Sequence, residues 1–186
     1  MAKMKLSTVA LLMFAIAVLG ACSSSGQRLV SIPLAAPIPV GASCSLEVVG
    51  NPQSDALANS TLQALLNSML TGTGIFRQVV QTGTPADYAL RVEVQKVSRV
   101  SSTSRFMIGV FAGSNEIAAV VVLRELAAGS VITCFNVNGS SASHPLSNEN
   151  EFDDALQEAA NEICAGLRTT SVNQPVPGQP GQPSAR

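Results

Sequence analysis

The sequence predicts an α+β domain, with a mixed sheet of about five strands in βαβββα order and two covering helices. Three observations carry this reading. From Tyr88 to Gln95, apolar Tyr88, Leu90, Val92 and Val94 alternate with Ala89, Arg91, Glu93 and Gln95, which is the period of a half-buried strand. Two other stretches repeat apolar residues at helical spacing. The chain ends, one apolar and one rich in Pro, Gln and Gly, fence off residues 42–170 as the folded unit, a normal size for a single domain.

Within that unit, Cys44, Leu46 and Val48 alternate with Ser45 and Glu47 as a short strand, ended by Asn51-Pro52. Ser54 is placed to cap the first helix, with Asp55 favourable at the positive end of its dipole. Ala58, Leu62, Leu65, Leu66, Met69 and Leu70 form its apolar stripe, and Gly72 and Gly74 stop it. Phe76 to Val80 is a short strand, and the Tyr88 strand follows Gly83 and Pro85. Ile117 to Leu126 is nearly all apolar in its first half, as expected of a central strand covered on both faces. Ala127 to Ser130 is a turn, and Val131 to Val137 returns antiparallel. The second helix runs from about Glu149 to Arg168, with Phe152, Leu156, Ala159, Ile163 and Leu167 on one face and acidic residues in its first turns.

The amino-terminal end is an export signal. Val9 to Leu19 is an unbroken apolar run behind Lys3 and Lys5, about half the roughly 20 residues a membrane span needs. It leads into Leu19-Gly20-Ala21-Cys22 followed by three serines. This resembles the lipobox of bacterial lipoproteins, which implies a signal peptide over residues 1–21 and lipid attachment to Cys22. Ser23 in place of Asp resembles outer-membrane cargo, so the implied location is the periplasmic face of the outer membrane. Residues 22–41, with Pro33, Pro37 and Pro39, read as a tether, and residues 171–186 as a disordered tail.

Composition and motifs argue against several functions. Of 186 residues, 46% are hydrophobic and 12% charged. Removing the signal leaves nine basic against twelve acidic side chains, a net of −3, so no nucleic-acid partner is expected. His144 is the only histidine, and it stands apart from any Gly-x-Ser-x-Gly nucleophile motif. Zinc would need several grouped ligands, and neither a metal nor another cofactor is expected. Gly72-Thr73-Gly74 follows a helix, where a dinucleotide loop would follow a strand. Asp153-Asp154 are adjacent on a helix, point about 100° apart and serve the dipole. An enzyme is therefore not expected.

Two features stay open to function. Arg105, Phe106, Met107, Ile108, Gly109, Val110, Phe111, Ala112 and Gly113 form an apolar segment flanked by polar runs. It is either an extension of core strand or an exposed contact for a partner, another copy or lipid. Besides Cys22 there are three thiols, Cys44, Cys134 and Cys164. If one bridge forms, Cys44 with Cys164 is the favoured pair, both lying on apolar faces.

Gly74-Ile75-Phe76-Arg77, Ala86-Asp87-Tyr88-Ala89-Leu90, the Gly109–Gly113 stretch, the Val-x-Val-x-Leu strand with Glu125, a Gly turn and an Ala-rich terminal helix resemble a family of small Gram-negative lipoproteins, domain of unknown function 4410. The element order is also similar to curli-secretion-type and TolB amino-terminal-type periplasmic domains. The resemblance implies no catalytic residues. The expected function is an outer-membrane lipoprotein, membrane-bound through its lipid, acting without catalysis through contacts with an envelope protein or with itself. The alternative is a membrane-tethered carrier of a small apolar ligand or lipid, using a pocket between helix and sheet.

Overall fold

The computed structural model describes residues 25–34, 36–50, 55–100, 113–141 and 151–168. The elements are β1 (Ser25–Ile32), β2 (Ser43–Gly50), α1 (Ala56–Gly72), β3 (Gln78–Gln81), β4 (Tyr88–Ser98), β5 (Glu116–Glu125), β6 (Val131–Ser140) and α2 (Glu151–Arg168). They build one six-stranded sheet in the order β1-β6-β5-β4-β2-β3. β2 runs parallel to β3 and β4, and the remaining pairs are antiparallel. The class is α+β, as the alternation and the two helical stripes predict. The order is ββαββββα rather than βαβββα, with β1 ahead of the five strands that the sequence named.

β1 is the main correction. Ser25–Ile32, expected to lie in a tether, pairs along the outer edge of β6, from Ser25 opposite Ser140 to Ile32 opposite Cys134. Its apolar residues are few and it borders a proline-rich stretch, so its own pattern is weak. What fixes it is the free edge of β6, whose backbone groups need partners. Arg28 adds a hold on α2, donating to the Glu162 carbonyl at 3.4 Å.

α1 starts at Asp55, which takes the cap that the sequence suggested for Ser54. Its carboxylate accepts from the Leu57 N–H at 2.9 Å. Ala58, Leu62, Leu66 and Leu70 point into the core and α1 covers β2 and β3, while α2 covers β6, β1 and β5. The helices also pack on each other, and Arg168 at the end of α2 donates to the Thr73 carbonyl at the end of α1. Gly139 makes the close approach of α2 to β6 workable. A Cβ there would fall on the Ala155 carbonyl and 2.7 Å from the Ala159 nitrogen. At the opposite end of β6, Gly129 closes the β5–β6 turn with φ of 67°, a conformation that costs glycine little.

The sheet has one covered face. Leu90, Val92 and Val94 of β4, Ile117, Ala119, Val121 and Leu123 of β5, and Phe135 and Val137 of β6 are buried beneath the helices. The alternate residues of β5, Ala118, Val120 and Val122, are only half-buried. The expectation that this strand is covered on both faces therefore does not hold among the described residues. Among the described residues its apolar second face is not matched by a second helix layer.

Candidate functional site

Three places gather side chains that could serve function. They are the two ends of the sheet and its open face.

At one end, the Ala86-Asp87-Tyr88 stretch meets the start of β2. One Asp87 carboxylate oxygen accepts from the Ser43 N–H and the Ser43 hydroxyl, both at 2.7 Å, and the Asp87 N–H lies 3.1 Å from the same hydroxyl oxygen. The Leu126 N–H donates to the Asp87 carbonyl at 3.0 Å. The hydrogen bonds from Ser43, with help from the Arg77 charge, hold the Asp87 carboxyl below its usual range. Tyr88 is raised instead, by burial and then by the charges of Glu125 and Asp87. Its ring lies 6.1 Å from that of Phe76. A cleft of about 590 Å³ opens beside them, lined by Pro39, Val40, Asp87, Tyr88, Glu125 and Leu126 among others. Chemically this is a latch. The ionised carboxylate spends its lone pairs on the backbone and hydroxyl of β2, and together with its own main-chain carbonyl Asp87 ties three parts of the chain at one corner.

At the other end, Asn115 plays the equivalent part. Its side-chain oxygen accepts from the Val100 N–H at 2.8 Å, its carbonyl accepts from the Ser141 N–H at 3.0 Å, and its N–H donates to the Ser141 hydroxyl at 3.3 Å. Asn115 and Ser141 are both buried. Beside them the Arg99 guanidinium pairs with Asp55 at 2.7 Å and lies 4.0 Å over the Phe152 ring. One cation thus joins the first turns of both helices. Lys96 pairs with Glu116 at 3.0 Å in the same region. Sequence reasoning took Ser114-Asn115-Glu116 only as a polar flank. A lone Asn carries no periodicity signal, so its clamp role could not be read.

On the open face, Leu29 and Ile32 of β1 are 70% and 44% exposed. Cys134 of β6 and Ala118, Val120 and Val122 of β5 are half-buried beside them. Register places Ile32 and Val122 on either side of Cys134, an apolar row across three strands, and Leu29 and Val120 on either side of the exposed Asn136. Polar residues bound the row on β4, where Arg91 pairs with Glu47 at 3.1 Å.

Cys22, the Arg105 to Phe111 segment (Phe106, Met107, Ile108, Val110) and His144 lie outside the described residues. Cys44, Cys134 and Cys164 are free thiols, so the expected Cys44–Cys164 bridge is not formed. Cys44 sits on β2 under α1, whereas α2 carries Cys164 across β6, β1 and β5. Burial pushes the Cys44 thiol up to about 12 and raises that of Cys164 as well, which makes both poor nucleophiles. No group of three or more potential metal ligands occurs among the described residues. The layer between helices and sheet, where the alternative reading would put a carrier pocket, is filled by Phe76, Phe135, Leu66, Leu90, Leu156 and Ile163, each at most 1% exposed.

Residues 50–145 match the family described as Domain of unknown function (DUF4410), and the chain belongs to it. None of the curated proteins matches the chain. Among solved structures, the fold is similar to that of PelC from Paraburkholderia phytofirmans, a dodecamer. Two crystal forms give TM-scores of 0.54 at 13% and 12% identity, covering 77% and 78% of this chain and 97% and 99% of PelC. A lipoprotein from Neisseria meningitidis matches at a TM-score of 0.42 and 13% identity, covering 67% of this chain and 99% of its own.

Proposed function

We propose that this protein is a periplasmic lipoprotein, anchored in the outer membrane through Cys22, that works without catalysis by associating with copies of itself. The observation that carries the reading is the apolar side chains of the open face, Leu29, Ile32, Cys134, Val120 and Val122. Contiguous exposed apolar surface of this kind marks a binding face. Six strands at about 4.8 Å spacing make the face roughly 24 Å wide. At a length of about 30 Å along its longest strands, the face comes to roughly 700 Å², approaching one side of a standard interface of roughly 800 Å² per partner. A second copy is favoured as occupant because the similarly folded PelC is a dodecamer. The Arg105 to Phe111 segment adds a second proposed contact.

The test is sedimentation velocity on the full lipidated chain in mild detergent. The unchanged chain should form a discrete oligomer. Val120→Asp should weaken assembly about 100-fold or more while leaving the melting temperature of the monomer nearly unchanged. A monomer at every concentration, or an assembly indifferent to Val120→Asp, would overturn the reading.

A further inference from the structure

The sheet register shows which way the domain faces its anchor. Ser25 of β1 lies opposite Ser140 of β6, Ser140 opposite Glu116 of β5, and Glu116 opposite Ser98 of β4. These four residues form one row across the sheet, at the end where Arg99 joins the starts of α1 and α2. Cys22 precedes that row by three positions. An extended chain gains at most about 3.6 Å per residue, so the anchor point lies within roughly 11 Å of Ser25. β5 alone, at about 3.4 Å per residue, carries the opposite end of the sheet about 30 Å away.

Resting on the reading that Cys22 bears lipid, we propose that the domain stands on the phospholipid surface by this end, with no free tether between anchor and sheet. The expected twenty-residue leash would have allowed any orientation. The observed one is too short to turn the β5–β6 turn toward the bilayer. Two arrangements remain geometrically open, the domain upright on this row or lying on its β1 edge. The upright one is favoured by what the end exposes. Leu57, in the first turn of α1, is 65% exposed there, and the local cations Lys96 and Arg99 are already paired with Glu116 and Asp55. An upright stance constrains assembly too. All anchors must reach one membrane, so copies must be related by an axis along the membrane normal, as in a cyclic ring.

The experiment uses the lipidated full chain in phosphatidylcholine vesicles carrying a headgroup nitroxide quencher. A fluorophore is placed on a single introduced cysteine in a Cys134→Ser background, where the remaining thiols are buried. The sites are Leu57→Cys at the proposed membrane end, Ser31→Cys far along β1, and Ala128→Cys in the distal turn. Flotation is read first. The unmodified chain should float and Cys22→Ser should not. Failure there overturns the anchor itself, and the stance with it. On floated protein, quenching at Leu57→Cys should exceed that at Ser31→Cys and Ala128→Cys by at least threefold. Stronger quenching at Ser31→Cys would show the domain lying on its edge. Equal quenching at all three sites would show free rotation. Either result overturns the proposal while leaving the anchor intact.

Discussion

The two faces of β5 are built from nearly the same side chains, yet they are used differently. On β5 the residues Ile117, Ala119, Val121 and Leu123 are at most 2% exposed beneath the helices. Their alternates Ala118, Val120 and Val122 are as apolar and only half-buried. Fully burying a Val side chain is worth about 1.5–3 kcal/mol, and the open face leaves part of that gain unrealised. Polarity is the usual way to finish an uncovered face of an antiparallel sheet. Here β4 follows that rule with Arg91, Glu93 and Gln95, and β6 with Asn136 and Asn138, whereas β5 does not. The difference marks a face that still has something to bury.

The largest effect expected from breaking this comparison comes from neighbours in β6. Gly139 meets the α2 backbone, and neither the Ala155 carbonyl nor the Ala159 nitrogen can step aside without breaking the helix. Gly139→Val should therefore cost more than about 3 kcal/mol, beyond the usual range for overpacking. Asn138 is adjacent and half-buried on the other face, opposite Ala118. Asn138→Val should shift stability by no more than about 0.5 kcal/mol. Thermal denaturation of the two variants measures both. Similar losses would mean that the faces are not distinct.

Much of the covered face was legible in the sequence, because burial beneath helices imposes period two on strands and a stripe on each helix. Tyr88, Leu90, Val92 and Val94 announced β4 and its phase, and Gly129 announced the turn. The open face was misread for the same reason. A continuous apolar run on β5 has the pattern of a strand covered twice, and sequence does not say whether the second cover comes from this chain or another. β1 escaped because its residues are held by a neighbour's free edge rather than by their own pattern. The Asp87 corner was visible as a motif but its role as a latch needed the register of Ser43 beside it. Asn115 gave no signal at all.

A smaller effect is expected at Asn115. Asn115→Ala removes the acceptor of the Val100 N–H while keeping the two bonds that run through its own backbone to Ser141. Leaving one amide without that partner should cost about 1–3 kcal/mol. Hydrogen exchange should then quicken first at Val100 and at the paired ends of β4 and β5. Quickening spread evenly through the sheet would show that Asn115 stabilises the whole domain rather than fastening this end.

The finest contrast uses two thiols as reporters of the two faces. Cys44 is fully buried and its thiol is pushed up from 9.0 to about 12. The folded state thus holds its proton more tightly than the unfolded chain does. This contribution to stability is complete below about pH 9 and is lost as pH rises from 9 toward 12, where Cys44→Ser should flatten the alkaline fall. At pH 8 the same shift lowers the Cys44 thiolate fraction about a thousandfold, so alkylation of the native domain should begin at Cys134 on the open face and reach Cys44 last. Cys134 then reports whether that face is occupied. In the assembled protein its alkylation should slow, and Val120→Asp should restore it, while the rate at Cys44 stays unchanged in both. A Cys134 that reacts equally fast in assembled and dispersed protein would place the contact between copies elsewhere and leave the apolar strip without a partner of its own kind.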